Sequence, residues 1–389
     1  MSMDAVILAE IGRRVSPVGS LQFFPESGQV ANLSDGSEWL RTGLAKSITG
    51  YTKAAAVEHL KVSGLASNYV AGNNTKQIAT DGAGNFVAAF GDATYVKVST
   101  DGGATWSNVL HMAGGAISAV VYTGTRFVAI GNSAAAWYMS SCTTANGTWV
   151  VGTGMTGITS GTANTAHAAY AGGKVVAACV GGNGAIAVSS NGTSWTCYNP
   201  PSALAGVPAV AYANSKWIIS NNIATAWAQS SDAITWSALT TGAVNSPAAL
   251  LSNGTLLVCY GNSTGYTSTD TGATWTSRAI NGNSAYTLAS LPGQCVYDGQ
   301  KFIIPVAGSA LVFWSSDGTT WRMRWLSSAM NATAVAVGSD GTRAVFHGGS
   351  QASLYTASWS TPDYIGTGYL QYSGTMAVGT PVGYIKIKD

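Results

Sequence analysis

A short segment that ends in tryptophan recurs along this chain of 389 residues, and its spacing constrains the fold more than any other feature. Five copies are plain and two are irregular, and their tryptophans lie 38 to 46 residues apart. The copies are STDGGATW at Trp106, SSCTTANGTW (irregular) at Trp149, SSNGTSW at Trp195, SSDAITW at Trp236, STDTGATW at Trp275, SSDGTTW at Trp321 and TASW (irregular) at Trp359. A period of this size predicts a protein built from seven similar units.

The interior of each period predicts short β-strands. Apolar runs such as FVAAF (86–90) and KVVAACV (174–180) are bounded by Gly, Asn and Ser, which is typical of strands joined by turns. A period near 42 residues with four short strands is the pattern of a β-propeller blade. The sequence therefore predicts an all-β, seven-bladed β-propeller over residues 67–365, with each repeated tryptophan at the start of the outer strand of its blade.

The repeated segment resembles the Asp box of sialidase-type (BNR) propellers. Residues 99–106 and 268–275 match Ser-x-Asp-x-Gly-x-Thr-Trp at every defined position, whereas Cys142 and Asn191 depart from it in two other copies. Such aspartates accept turn amides, the glycines adopt unusual backbone angles, and the tryptophans fill space between blades. We therefore expect structural roles for Asp101, Trp106, Asp232, Trp236, Asp270, Trp275, Asp317 and Trp321.

The resemblance makes glycoside hydrolysis the first activity to test. Sialidases pair a tyrosine nucleophile with a glutamate and add an aspartate, but the last glutamate here is Glu58, before the predicted propeller. Of the nine aspartates between Glu58 and the C-terminal residue, four belong to boxes and three precede a hairpin glycine, which leaves only Asp92 and Asp363. The cysteines and histidines show no metal-ligand spacing, although pairing of Cys and His in space stays open. We expect a protein that is not an enzyme and has no metal or cofactor.

Aromatic and amide side chains offer a surface for binding. In propellers the loops between the second and third strands usually gather on the face opposite the boxes, and we expect the functional surface there. Rings beside Asn, Ser and Gly suit stacking on sugars and hydrogen bonding to hydroxyls. The alternative for each ring is packing between blades. The candidate receptor-binding residues are Tyr95, Trp137, Trp227, Tyr266, Phe313 and Trp314.

Charge and hydropathy exclude several classes of partner. Only 9% of the residues are charged and the formal net charge is +2, so nucleic-acid binding through phosphates has few groups to use. No apolar run has the length of a membrane span, and MSMDAVILAEIGRR lacks the pattern of a secretory signal. We expect synthesis in a host cytoplasm without membrane insertion, and free thiols at all five cysteines.

The two ends of the chain differ from its centre. Charged residues are denser in residues 1–66, which predicts a boundary near residue 66 and an N-terminal module for attachment and oligomerisation. Within it, TKAAAVEHLKV (52–62) has the composition of a helix. Residues 366–389 alternate apolar and small residues and are predicted to form a C-terminal β tail.

DGSEWLRTG (35–43) and VGYIKIK (382–388) resemble the ends of bacteriophage tail-fibre and virion-appendage proteins. The resemblance implies a homo-oligomeric virion protein that attaches to other tail or baseplate proteins through residues 1–66. Its propeller would then bind a receptor on the host surface, with a glycan as the expected ligand. Two alternatives stay open: a purely structural virion decoration or spacer, and a cellular assembly factor whose propeller scaffolds other proteins.

Overall fold

The computed structural model describes the chain in segments separated by gaps. The described residues are 21–24, 38–39, 51–53, 59–61, 69–70, 77–89, 95–111, 116–133, 136–153, 166–179, 186–201, 208–221, 227–239, 244, 247–261, 264–278, 294–305, 311–325, 336–348, 353–360, 370–372 and 382–388. All regular elements among them are β-strands, numbered here β1 to β34 in chain order, and none of these segments holds a helix able to cross a membrane. The all-β class expected from the sequence is confirmed.

The first compact unit comprises both ends of the chain, Met1–Lys61 and Trp359–Asp389. In it, β1 (Leu21–Phe24) and β2 (Glu38–Trp39) pair with opposite edges of β34 (Val382–Lys388). The expected N-terminal module and C-terminal tail therefore share one unit. The unit's remaining strands are β3 (Tyr51–Lys53), β4 (His59–Lys61) and β33 (Leu370–Tyr372), and β3 pairs with β33.

The helix expected over residues 52–62 is wrong, because both ends of that segment lie in strands, β3 and β4. Tyr51 pairs with Tyr372 and Lys53 with Leu370. Long-range strand pairing thus overrides the helix propensity at the two described ends of the segment, and residues 54–58 lie outside the described residues.

The second compact unit, Val62–Ser358, is a seven-bladed β-propeller, as the sequence predicts. Its sheets are antiparallel and are numbered here blades 1 to 7 in chain order. Blades 1 to 3 contain β6 (Gln77–Thr80), β7 (Phe86–Ala89), β8 (Tyr95–Ser99) and β9 (Ser107–Leu110); β10 (Ala116–Tyr122), β11 (Phe127–Ser133), β12 (Ala136–Cys142) and β13 (Val150–Val151); and β14 (Ala166–Ala171), β15 (Lys174–Cys179), β16 (Ile186–Ser189) and β17 (Thr196–Tyr198). Blades 4 to 6 contain β18 (Pro208–Ala213), β19 (Lys216–Asn221), β20 (Trp227–Ser230) and β21 (Ser237–Leu239); β22 (Pro247–Ser252), β23 (Leu257–Gly261), β24 (Thr264–Ser268) and β25 (Thr276–Arg278); and β26 (Val296–Tyr297), β27 (Phe302–Pro305), β28 (Leu311–Ser315) and β29 (Arg322–Trp325).

Blade 7 combines strands from distant parts of the sequence. Its first three strands are β30 (Ala336–Ser339), β31 (Arg343–Gly348) and β32 (Ser353–Ser360). The early strand β5 (Tyr69–Val70) pairs with β32, with Val70 opposite Ser353. The innermost strands β6, β10, β14, β18, β22, β26 and β30 each pack against the next one, and β30 packs against β6, which closes the ring.

Apolar side chains of the second strands fill the space between blades. Phe86, Phe127, Trp217, Leu257 and Phe302 follow the first hairpin of their blades at the same position and are at most 2% exposed. Full burial of a side chain of this size stabilises a fold by about 1.5 to 3 kcal/mol. All five cysteines are free, and four are buried, with Cys197 half-buried.

The repeated tryptophans behave as expected in the first six blades. Trp106, Trp149, Trp195, Trp236, Trp275 and Trp321 each come directly before the fourth strand.

Trp359 is different, because it lies inside β32. In blade 6 the box serine Ser315 pairs with Phe302 of the second strand. In blade 7 Ala357 pairs in the same way with Ala344, so Ala357 takes the position of the box serine. Trp359 therefore stands where the other blades have the box aspartate, and the TASW segment is not a seventh box.

Each box is a tight turn held by its own serine and aspartate. In blade 1 the Ser99 hydroxyl donates to Asp101 Oδ1 at 2.7 Å, and the same oxygen accepts the Thr105 amide at 2.9 Å. The Thr235 and Ile234 amides in blade 4 likewise lower the pKa of Asp232 to about 2. The equivalent acceptors in the other boxes are Asn191, Asp270 and Asp317.

Three of the box tryptophans close over these turns. The indole Nε1 of Trp106 donates to the Gly103 carbonyl oxygen at 3.1 Å, and Trp236 and Trp321 make the same bond to Ala233 and Gly318. These bonds hold the box turns, and the expectation that the box residues have only a structural role stays a prediction.

The box glycine of blade 1 docks against blade 7. Gly103 has a φ of +88°, and a Cβ added there would lie 2.5 Å from Thr356 Oγ1 and 2.9 Å from Val345 Cγ2. The Thr356 hydroxyl donates to the Gly103 carbonyl oxygen at 2.9 Å. Only glycine combines this backbone angle with so close an approach.

We expect Gly103→Ala to destabilise the propeller by about 2 to 4 kcal/mol, because both backbone strain and overpacking oppose it. Gly124→Ala is the matched control, since Gly124 has a φ of +83° but nothing lies within 4 Å of the added Cβ. That variant should lose only about 1 kcal/mol from the backbone angle. Urea unfolding measures both, and equal losses would show that the contact between blades 7 and 1 contributes nothing.

Candidate functional site

A cavity of about 580 Å³ lies on the axis of the propeller. Each innermost strand pairs within its sheet with one neighbouring strand. Apart from isolated bridges such as Gln294 with Ala336, its other edge presents backbone N–H and C=O groups to the axis. The cavity is lined by the ends of these strands and by the hairpins that follow them. Its size is in the range of ligand pockets, roughly 300 to 1,000 Å³.

Polar side chains cross the axis at the inner end of the cavity and form its floor. Gln294 Oε1 accepts the Ile78 amide at 2.6 Å, and Gln77 Oε1 accepts the Val120 amide at 3.2 Å. Gln77 Nε2 also donates to the Ala168 carbonyl oxygen at 3.1 Å. These bonds connect blade 6 to blade 1, and blade 1 to blades 2 and 3.

The register explains why these side chains reach so far. Gln77, His167 and Gln294 stand three residues before Thr80, Tyr170 and Tyr297, the inner-strand residues that pair with Phe86, Val175 and Phe302. Blades 2 and 7 have Ala119 and Ala336 at the same position. The small alanines leave room for the glutamine of blade 1 to reach blade 3 and for that of blade 6 to reach blade 1.

His167 takes the same place in blade 3. Its Nδ1 accepts the Val210 amide of blade 4 at 3.4 Å, and burial lowers the pKa of His167 to about 4. The imidazole is therefore neutral at pH 7, and its charged form is disfavoured in the folded protein.

This pKa gives the fold an acid sensitivity that a variant can remove. Between pH 7 and pH 5 the unfolded chain, whose histidine has a pKa near 6.5, takes up a proton that folded His167 does not. His167 should thus contribute a loss of about 2 kcal/mol in the free energy of unfolding over this range. His167→Gln places there the residue that blades 1 and 6 already use, and it should remove this part of the loss. Urea unfolding at both pH values tests the prediction, which fails if both proteins lose the same stability.

Four tyrosines line the mouth of the cavity. Each lies on an innermost strand and pairs with the second-strand residue that follows it by five positions in the sequence. Tyr122, Tyr212 and Tyr297 pack against Phe127, Trp217 and Phe302, with ring centroids 4.7 to 5.0 Å apart. Tyr170 in blade 3 is more open, with 40% of its surface exposed. Three of the tyrosine rings are thus held by packing, and the ring of Tyr170 is accessible to a ligand.

Three carboxylates line the mouth on the adjacent blades 6, 7 and 1: Asp298, Asp340 and Asp81. Each accepts amides of its own hairpin, as Asp298 Oδ1 does from Gln300 at 3.0 Å and Lys301 at 2.7 Å. Asp298 Oδ2 also accepts the Ser339 hydroxyl of blade 7 at 2.7 Å. The mouth is therefore acidic where blades 6, 7 and 1 meet, and three of its four tyrosines lie on blades 2 to 4.

The mouth opens at the end of the propeller where the boxes lie. The Gly102 amide of the blade 1 box donates to Gly84 of the first hairpin at 2.9 Å, and Asn214 Nδ2 of blade 4 donates to Thr269 of the blade 5 box at 3.0 Å. The described cavity is thus not on the face opposite the boxes, where the sequence-based expectation put the functional surface.

Four of the six expected receptor-binding residues do not reach the surface. Trp137 and Trp227 are each 2% exposed, Phe313 is fully buried and Trp314 is 4% exposed. The prediction that these rings contact a receptor is wrong for the described conformation, because both faces of a third strand are covered by neighbouring blades. Trp227, for example, packs against Trp275 with ring centroids 5.4 Å apart.

The other two candidates retain some exposure. Tyr95 is 37% exposed, and Tyr266 is half-buried. Their contact with a receptor stays a prediction. Asp92 and Asp363, the carboxylates left over by the sequence analysis, lie outside the described residues.

Sequence reasoning missed the residues that line the cavity. Tyr122, Tyr170, Tyr212 and Tyr297 each come five residues before the second-strand residue with which they pair, and this regular spacing is visible in the sequence. Gln77 and His167 have no such signal, because only the register of the inner strands places them on the axis.

Comparison with known proteins supports the propeller fold. No protein-family model and no curated protein matches the chain. Among solved structures, a streptogramin B lyase aligns with a TM-score of 0.60 and 11% identity over 79% of this chain and 100% of the lyase. YCF48 bound to a D1 peptide aligns with a TM-score of 0.55 and 13% identity, over 78% and 97% of the two chains. Virginiamycin B lyase from Staphylococcus aureus aligns with a TM-score of 0.56 and 13% identity, over 78% and 99%. At these identities the likeness shows the fold alone: the chain is a seven-bladed β-propeller.

Proposed function

We propose that this protein is a non-enzymatic component of a bacteriophage tail or appendage whose propeller binds a glycan on the surface of the host cell. The central cavity carries this proposal. Seven strand edges supply backbone donors and acceptors for hydroxyl groups, and the tyrosines at the mouth supply ring faces on which sugars stack.

The carboxylates of the propeller accept hydrogen bonds within their own turns, which supports binding rather than catalysis. Every described aspartate of the propeller accepts amides of its own turn: Asp81, Asp101, Asp232, Asp270, Asp298, Asp317 and Asp340. A glycosidase needs two opposed carboxyl groups, one of them with a raised pKa. The box carboxylates Asp101, Asp232, Asp270 and Asp317 have lowered pKa values instead.

The phage assignment is supported by the two segments that resemble tail-fibre ends. Residues 35–43 and 382–388 are far apart in the sequence, yet Glu38 pairs with Lys388 and Trp39 with Lys386. We therefore propose that the segments work as one attachment element, through which the chain joins other tail or baseplate proteins of the virion. The chain would be made in the host cytoplasm and assembled into the particle.

Homo-oligomerisation belongs to the same proposal, because the unit formed by Met1–Lys61 and Trp359–Asp389 is small for a core of its own. We expect the full chain to elute in size-exclusion chromatography with a light-scattering mass that is a multiple of 39.6 kDa. A single 39.6 kDa species at micromolar concentration would contradict this part of the proposal.

Glycan binding is tested with the full chain on a glycan array and then on bacteria that carry the bound glycan. Tyr170→Ala removes the exposed ring at the mouth, and we expect it to weaken binding about tenfold, or about 1.4 kcal/mol. Leu110→Ala is the matched control, because Leu110 is 60% exposed on the outer strand of blade 1, away from the cavity. It should bind as the unchanged protein does.

Other outcomes distinguish the alternatives. Failure to bind any glycan or cell, with both proteins folded, would favour a structural decoration or spacer. Release of sugar from a bound glycan would contradict the non-enzymatic proposal. The assembly-factor alternative draws on the likeness to YCF48, whose structure holds a D1 peptide, and selective capture of a peptide would favour it.

A further inference from the structure

Asparagine followed by glycine occurs five times in the sequence, and this dipeptide is especially prone to spontaneous deamidation. The glycine amide nitrogen attacks the side-chain carbonyl carbon Cγ of the asparagine, ammonia leaves, and a cyclic succinimide forms. Water then opens the ring to aspartate or to isoaspartate, in which the backbone runs through Cγ. The structure describes three of the five pairs: Asn146–Gly147, Asn191–Gly192 and Asn253–Gly254.

Serine hydroxyl groups bind the glycine amide in two of these pairs. The Gly192 amide in the blade 3 box donates to Ser189 Oγ at 2.8 Å. The Gly254 amide in the first hairpin of blade 5 donates to Ser252 Oγ at 2.9 Å. Attack on Cγ requires the amide to lose its proton, and a hydrogen bond to a neutral hydroxyl stabilises the protonated form. Both serines therefore oppose the first step of deamidation.

The third pair is held by the backbone. The Gly147 amide donates to the Thr144 carbonyl oxygen at 3.1 Å. A side-chain substitution leaves this acceptor in place, so the two pairs held by serine are the ones that variants can test.

The asparagine side chains that would be attacked are also held. Asn191 Oδ1 accepts the Thr193 and Ser194 amides at 2.9 and 2.8 Å. Asn253 Oδ1 accepts the amides of the two residues that follow Gly254, at 3.1 and 2.7 Å. These bonds hold the group that contains Cγ, so both partners in the reaction are fixed within the turn.

The two turns differ in their access to water. Ser189 is 3% exposed and Gly192 is buried, whereas Ser252 is half-buried and Gly254 is exposed. Ser252 Oγ is oriented by its own bond to the Tyr212 carbonyl oxygen at 2.6 Å. Because water competes more readily for an exposed hydrogen bond, we expect Asn191 to be the better protected asparagine.

We propose that Ser189 and Ser252 protect Asn191 and Asn253 from deamidation by binding the amide that would otherwise attack them. The serine of the blade 3 box then has a chemical role besides holding its turn. Aspartate at position 191 would still fit the box, since Asp232 accepts the equivalent amides in blade 4. Isoaspartate would not, because it adds a methylene group to the backbone of the turn.

The test follows deamidation in the folded full chain during incubation in mildly alkaline buffer. Peptide mapping by mass spectrometry distinguishes asparagine, aspartate and isoaspartate at each position. Synthetic peptides of residues 189–195 and 251–257 give the rates without the fold. We expect both asparagines to react at least about tenfold more slowly in the folded chain than in these peptides, with Asn191 the slower of the two.

Each serine variant is the matched control of the other. Ser189→Ala should speed the deamidation of Asn191 about fivefold and leave Asn253 unchanged, and Ser252→Ala should do the reverse. Since Ser252 lies on an exposed hairpin, its variant keeps the test decisive if loss of the buried Ser189 hydroxyl unfolds the chain.

A third variant controls for loosening of a box. Ser315 Oγ accepts the Gly318 amide at 2.9 Å in the blade 6 box, which carries Asp317 in place of an asparagine. Ser315→Ala therefore removes the same bond without freeing an Asn–Gly pair, and it should speed deamidation at neither asparagine.

Three results would overturn the proposal: an unchanged rate at a variant's own asparagine, acceleration of both asparagines by any one variant, or equal rates in the folded chain and the peptides. Acceleration of both would assign the protection to the stability of the whole propeller. No ligand takes part in these measurements, so their outcome is independent of the proposed glycan-binding function.

Discussion

The docking of box turns onto the preceding blade is the contact on which the propeller depends. Where blade 1 meets blade 7, the positive φ of Gly103 lets the turn approach Thr356 and Val345 so closely that no side chain fits between them. A comparable approach occurs at Gly318, where a Cβ would lie 2.7 Å from Leu256 of blade 5. The hydrogen bonds of the Ser-x-Asp pattern hold the conformation of each box turn. The conformation of the turn then determines the distance between neighbouring blades.

Ring closure creates a second constraint, because it leaves one edge of each innermost strand without a neighbouring strand. Gln77, His167 and Gln294 satisfy some of these backbone groups at the floor and connect blades across the axis. Between the floor and the mouth, the same strand edges line the cavity. The binding site that we propose is thus a consequence of closing seven sheets into a ring.

The distribution of charge separates structure from proposed function. In the boxes, a carboxylate and an amide accept the equivalent turn amides, as Asp232 and Asn191 do. In the first hairpins Asn253 likewise does the work of Asp298. In blades 1, 6 and 7 this hairpin position, occupied by Asp81, Asp298 and Asp340, lines the cavity.

The sequence by itself determined the number of blades and the strand-and-turn pattern, because these depend on local periodicity and turn chemistry. It did not determine that β5 joins blade 7 or that Trp359 lies within a strand, since both follow from pairing between distant segments. The burial of Trp137 and Trp227 was also decided by tertiary structure. Both faces of a blade are covered by its neighbours, so a strand pattern does not reveal which rings reach solvent. The cavity itself appears only when residues as far apart as Ile78 and Gln294 are brought together by the closed ring.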